Sequence, residues 1–228
     1  MVRLKTVCLL LLSAGAVTVS AAGQQAAASG PPLVVKTTTL PKAFLRQTFR
    51  VQLHAEGGIM PWKWQVTDGV LPAGLALSPE GALSGIPAAV GEFPFTVTVT
   101  DSGKPGVQRA QALTLKVVSP LSIEWSRYPR VSGQRIDGAI KISNATDEDF
   151  DLTVITVAVN QTGRATALGY QRIKLSRNAN QFEISFAENL PLGAYDVHVD
   201  AIGEVAATDR IYRARLQSKD KLQVRQGP

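Results

Sequence analysis

The sequence predicts an all-β protein: two β-sandwiches in tandem behind a removable N-terminal leader. Three observations carry this. Apolar residues alternate with period two from Leu33 onward, turn signals break the alternation at short intervals, and Ser119-Pro120 separates two strand series of similar length. No helical period appears beyond the leader.

In the first series, Phe49, Val51, Leu53 and Ala55 fall on one face, with Arg50, Gln52 and His54 on the other. Trp62, Trp64 and Val66 alternate with Lys63 and Gln65. Phe93, Phe95, Val97 and Val99 alternate with Thr96, Thr98 and Thr100, and Leu113, Leu115 and Val117 with Thr114 and Lys116. Gly57-Gly58, Asp68-Gly69, Glu80-Gly81 and Lys104-Pro105-Gly106 supply the turns between them. Proline at 120 ends ladder pairing and stiffens a short linker. The second series has seven candidate strands: Leu121–Trp125, Ile136–Asn144, Phe150–Val159, Ala165–Leu175, Gln181–Phe186, Ala194–Ala201 and Arg210–Val224.

The expected organisation is a signal peptide over residues 1–22, a low-complexity spacer over 23–32, and sandwich modules over 33–119 and 120–228. Arg3 and Lys5 form a positive n-region, Val7–Leu12 begin an apolar stretch, and Val19-Ser20-Ala21 offers small residues at a cleavage site. Cleavage after Ala21 or Ala22 competes with cleavage near Ala26–Ala28, and an uncleaved anchor is the alternative to both. No second apolar run reaches spanning length, so no transmembrane segment is expected in the mature chain. The localisation these features predict is secreted, periplasmic or cell-surface.

An apolar fraction of 45% against 18% charged residues is enough to build packed cores. Cys8 is the single cysteine and lies in the leader, which leaves the mature chain without disulfides, a cysteine nucleophile or a zinc–cysteine site. The formal charge of +6 falls to +4 once Arg3 and Lys5 are removed. Eight basic and five acidic residues over 23–119, then fourteen and thirteen over 120–228, form no basic stripe, so nucleic acid is not an expected partner.

The first module resembles the immunoglobulin-like domains of bacterial surface and secreted proteins, relatives of the cadherin-like sandwiches. The likeness is carried by Gly57-Gly58, Pro61-Trp62-Lys63-Trp64, Leu71-Pro72-Ala73-Gly74-Leu75-Ala76-Leu77, Gly81-Ala82-Leu83-Ser84-Gly85-Ile86-Pro87, Gly91-Glu92-Phe93 and Val97-Thr98-Val99-Thr100-Asp101. Ile86 stands where threonine is usual and Phe93 where tyrosine is usual, both changes of packing only. The resemblance implies a spacer or adhesion module and supplies no catalytic residue. Trp64, on a central strand, is the expected plug between the sheets. The second module resembles immunoglobulin and fibronectin sandwiches more loosely, through Leu190-Pro191-Leu192-Gly193-Ala194-Tyr195-Asp196-Val197.

Candidate chemistry is sparse, and no catalytic residue is assigned. Gly81–Gly85 imitates an esterase elbow, but its serine comes one place late and no helix follows. His198 alternates with Asp196 and Asp200 on one strand face, at a spacing near 7 Å that two successive side chains cannot close around one ion. The acidic turn Asn144–Asp151 is the better metal candidate. Asp147, Asp149 and Asp151, with Glu204, are placed at the pole facing the Pro120 junction, where calcium would stiffen the joint. Asp101 falls at the far pole of the first module. Against calcium stand two simpler readings, a solvated acidic turn or one paired with Lys42 or Arg46, and a linker that carries no carboxylate. Trp62, Trp125 and Tyr128 are candidates for stacking on a sugar. Asn144-Ala145-Thr146 and Asn160-Gln161-Thr162 match the glycosylation triplet. Arg210, Arg213, Arg215, Lys219, Lys221 and Arg225 enrich the last strand in positive charge, a guard against edge-to-edge association.

The function expected is a non-enzymatic binding or scaffold module for an envelope protein or glycan. The alternative is a calcium-stiffened adhesion module using the acidic loop. No cofactor is required apart from calcium in that alternative.

Overall fold

The structure is a computed structural model that describes residues 31–226; the leader and nearly all of the spacer lie outside the described residues. Every regular element in it is a strand.

The first module holds β1 (Val34–Val35), β2 (Ala43–Phe44), β3 (Phe49–Gln52), β4 (Ala55–Glu56), β5 (Lys63–Gly69), β6 (Leu75–Leu77), β7 (Ala82–Gly85), β8 (Gly91–Thr100) and β9 (Gln108–Val118). One sheet runs β2-β9-β8-β5 and the facing sheet β3-β7-β6, with β1 paired to β4. The chain enters on one side and crosses over, since β2 pairs with β9 in parallel. Leu33, Phe49, Leu53, Leu83, Phe95, Val97, Val99, Leu113, Leu115 and Val117 fill the space between the sheets, following the parity read from the sequence. Trp64 is buried among them, but β5 is the outer strand of its sheet and not a central one. The plug works from the edge: Trp64 N–H donates to Pro79 O across to the facing layer at 2.9 Å. Gly81, with φ of +88°, lies flat against the indole, where a Cβ would come within 2.8 Å of the ring.

The second module holds β10 (Leu121–Ser132), β11 (Arg135–Asn144), β12 (Phe150–Asn160), β13 (Ala165–Leu175), β14 (Phe182–Asn189), β15 (Gly193–Val205), β16 (Arg210–Gln217) and β17 (Leu222–Val224). A three-stranded sheet β10-β11-β14 packs on β13-β12-β15-β16, with β17 continuing beside β15. Its core is separate from the first and includes Leu121, Ile136, Ile140, Ile142, Phe150, Leu152, Leu175 and Val197. Tyr195, inside the turn motif singled out above, donates its hydroxyl to Pro191 O at 3.0 Å, the tyrosine corner that fixes the entry to the sixth strand of such sandwiches.

Several segments differ from the expected bounds: the strands expected to end at Phe186 and Ala201 run on to Asn189 and Val205, and two others differ in kind. The first strand does not stop at Trp125 but continues to Ser132 through two register shifts, between Trp125 and Arg127 and between Arg127 and Arg130. Pro129 is accommodated there because β10 is an edge strand. The segment expected as one strand over Arg210–Val224 is broken at residues 218–221, where Ser218 N–H donates to Val197 O and Ser218 Oγ accepts from Val197 N–H. Tyr128 Oη accepts from Lys219 N–H and Asp220 N–H, closing the break from the other sheet.

Candidate functional site

Three surfaces concentrate chemistry, and the junction is the first. Pro120 O accepts from Ala145 N–H at 2.9 Å, so the acidic turn does sit at the pole next to the linker. Lys42, from the first module, reaches across it: Nζ lies 3.6 Å from Asp147 Oδ1 and donates to Asn178 Oδ1 at 2.9 Å. Asn178 in turn donates to Asp147 Oδ1 at 3.0 Å. Asn178 holds a positive φ of 53° in the β13–β14 turn, a conformation asparagine tolerates better than most residues. The Asn178 hydrogen bond, followed by the Lys42 charge, holds the Asp147 carboxyl below the usual aspartate range. Asp149 Oδ1 accepts from Arg177 N–H, and Glu148 pairs with Arg210 at 3.4 Å.

The four carboxylates proposed for calcium are therefore split. Asp149, Asp151 and Glu204 line one hollow of about 330 Å³ together with Lys174, while Asp147 is turned away toward Lys42. Among the described residues, no three His, Cys, Asp or Glu side chains converge to hold a metal ion. Asp101 lies at the opposite pole, since β8 pairs Gly91 with Val117 near the junction and Thr100 with Gln108 far from it. There its carboxylate accepts from Val107, Gly103 and Ile59 N–H at 2.7, 3.1 and 3.1 Å, tying two loops together.

The three aromatics proposed for stacking do not form one platform: Trp125 and Tyr128 pack together in the second module, and Trp62 belongs to the first. Trp62 packs against the first core and donates Nε1–H to Gly57 O. Trp125 sits opposite Ile140 on the inward face of β10, edge-on to Tyr128 at 5.7 Å and tilted to Phe186 at 6.2 Å. Both glycosylation-like triplets turn out to cap loops. Asn144 Oδ1 accepts from Thr146 N–H and Oγ1–H at 2.9 and 2.7 Å, and Asn160 Oδ1 from the same atoms of Thr162 at 3.0 and 2.7 Å. Asn144 is buried with its amide also donating to Glu148 O and Ser176 O, which leaves no access for a sugar. Ser84 of the elbow-like motif lies inside β7, opposite Arg50, without the strand–turn–helix that an esterase nucleophile needs.

The second surface is the outer face of the five-stranded sheet that β13, β12, β15, β16 and β17 form. Regular alternation on β12 sends Leu152, Val154 and Ala158 inward, yet Ile155, Val157 and Val159 on the other face are apolar too and half-buried. A strand that is apolar on both faces is the pattern of a strand covered on both sides. Across the register, Ile155 pairs with Tyr170 and Asp200, Thr153 with Arg172 and Ile202, and Val157 with His198. Tyr170 is 64% exposed. On the edge strand β16, Arg213 and Arg215 stand 3.2 and 3.4 Å from the two oxygens of Asp200. A hollow of about 580 Å³ opens between Ile155, Val157, His198, Asp200 and Arg215. Asp200 Oδ1 is buried beneath it and has no hydrogen-bond partner, the Arg213 contact being electrostatic only.

Residues 31–118 match the family described as Putative Ig domain. That span takes in the first sandwich, whose fold is immunoglobulin-like. No curated protein matches the chain. Among solved structures, the fibronectin(III)-like modules of Clostridium thermocellum CbhA align at 12% identity over 86% of this chain and 95% of that one, with a TM-score of 0.30. Mouse cadherin-23 EC22-24 aligns at 14% identity over 85% and 66%, with a TM-score of 0.35. A protocadherin gammaB7 EC3-6 structure aligns at 12% over 82% of this chain, with a TM-score of 0.32, and this chain spans 47% of its length.

The third surface, an arginine cluster on the other sheet, was not anticipated from the sequence, nor were Asn178 at the junction and the Ile155–Tyr170 face. The apolar run Val154–Val159, interrupted only by Thr156, was the available signal for that face.

Proposed function

We propose that this is a non-enzymatic binding or scaffold protein of an exported compartment, and that the outer face of β13-β12-β15-β16 is the surface that meets its partner. The observation that carries this is the apolar outward row Ile155, Val157 and Val159 on β12. Burying such a row against a partner is favourable by about 25 cal/mol per Å² of apolar surface removed from water. The flanking pairs of Asp200 with Arg213 and Arg215 would set orientation, and their exposed ends make association sensitive to salt.

The partner class is an envelope protein or glycan, and the apolar row favours a protein. The immunoglobulin-like first module supports a binding or adhesion role and would act as the spacer that presents the second. The signal-like leader, outside the described residues, supports export. In the described residues no helix is long and apolar enough to cross a membrane. The test is affinity capture from an envelope extract of the native host, comparing the wild type with Ile155→Glu. Loss of the captured species in a folded variant is the expected outcome, and unchanged capture would remove this face from the proposal.

A further inference from the structure

The outer face of the opposite sheet carries a feature that the binding reading does not use. At the β10–β11 hairpin, Arg127, Arg130 and Arg135 line a hollow of about 480 Å³ together with a single carboxylate, Asp137, and with Ser132 and Ser185. Arg127 Nε lies 3.5 Å from Asp137 Oδ2, and Arg130 Nε 3.3 Å from Oδ1. Three guanidinium groups against one carboxylate leave the hollow with a surplus of two positive charges.

The backbone is built to bring these groups together. In an unbroken strand, Arg127 would share the inward face of Trp125, and Arg130 would lie opposite to it. The first register shift places Arg127 across from Ala139 and the second places Arg130 across from Asp137, both on the outward face of β11. Arg135, two residues from Asp137, falls on the same face, and Ser132 is its register partner. The two-residue turn Gly133–Gln134, with Gly133 at φ of +62°, holds the hairpin tight. Bulges that re-aim side chains in this way recur beside functional sites.

Asp137 engages both arginines through Nε, which leaves their terminal amino groups outside that pairing. Arg127 Nη2 makes one long contact, 3.4 Å to Gly138 O. Forked guanidinium donors match the terminal oxygens of a tetrahedral anion, and a surplus of two charges matches a dianion better than a carboxylate.

We propose that Arg127, Arg130 and Arg135 form a binding site for a phosphate group, free or carried as a monoester on a sugar. Asp137 acts as the positioning residue that spreads the guanidinium groups, and the two serine hydroxyls are additional donors. The site is independent of the outer face of the five-stranded sheet.

The test is NMR observation of arginine Nε–H signals in the full chain at low salt, titrated with inorganic phosphate, glucose 1-phosphate and acetate. Saturable binding of both phosphates, with shifts at Arg127, Arg130 and Arg135 and with acetate at least about tenfold weaker, is expected. Tighter binding of glucose 1-phosphate than of inorganic phosphate would assign the carried ester, and the reverse order the free ion. Arg130→Gln and Arg135→Gln should each weaken binding about tenfold, while Arg109→Gln on exposed β9 of the first module leaves it unchanged. Non-saturating shifts, equal affinity for acetate, or an equal loss in Arg109→Gln would overturn the proposal.

Discussion

Lys42 and Asp147 belong to different sandwiches and meet at 3.6 Å, with Asn178 bonded to both. This contact sits beside the Ser119-Pro120 linker and is the side-chain counterpart of the Ala145–Pro120 backbone bond. Lys42→Ala should therefore broaden the distribution of distances between spin labels placed one on each module, with no change in the melting temperature of either core. An unchanged distribution would mean that the linker alone sets the angle.

The same clasp has a pH dependence of defined sign. Asp147 is held below its ordinary value by Asn178 and then Lys42, so its contribution is complete above the unfolded value of about 3.9 and disappears as the pH falls through the lower folded value. The label distances should be constant from neutral pH to about 5 and broaden below about 3.9. Broadening near neutral pH would contradict the assignment.

Asp101 should behave similarly at the other pole. The Val107 N–H hydrogen bond, chiefly, with those from Ile59 and Gly103, outweighs burial and lowers its pKa. Asp101→Ala would orphan three backbone donors, and the amides of Ile59, Gly103 and Val107 should lose hydrogen-exchange protection while β12 and β15 keep theirs. The stabilisation is present above about pH 3.9 and lost on acidification below it.

Packing predictions separate the two modules. Leu115→Ala in the first core or Ile140→Ala in the second should each cost about 2–5 kcal/mol, and calorimetry should show only the transition of the module concerned shifting. Tyr195→Phe removes the hydroxyl that holds Pro191 O and should cost about 1 kcal/mol in the second transition alone.

Calcium should leave both transitions where they are. Asp147 faces Lys42 rather than the hollow of Asp149, Asp151 and Glu204, and Lys174 already stands opposite Asp151. A melting temperature that rises in calcium and falls in chelator would restore a metal site at the acidic turn.

Much of the fold was legible because alternation is a local signal. The β13 bounds, Ala165–Leu175, and the pole of the acidic turn follow from period, turn residues and sandwich geometry alone. What escaped was set by pairing between distant strands. The edge position of β5 depends on which strands flank β8, a fact that Trp64 and its neighbours do not encode. The two shifts in β10 reverse side-chain parity, so that Arg127 and Arg130, three apart, share a face that strict alternation would deny them. Asn178 was passed over because its partner, Lys42, lies 136 residues away. The candidate face was half visible: His198 between Asp196 and Asp200 was recognised, but the outward apolar row of β12 became meaningful only once its other side was seen to be filled by the core.

Docking of a partner on the outer face of the five-stranded sheet is read by site-specific photocrosslinking in the native envelope. A crosslinker replacing Tyr170, beside Ile155, is compared with one replacing exposed Lys63 on β5 of the first module. The account predicts one discrete adduct from position 170, lost on adding Val157→Glu, and none from position 63. The same adducts from both positions, or none from position 170, would contradict it.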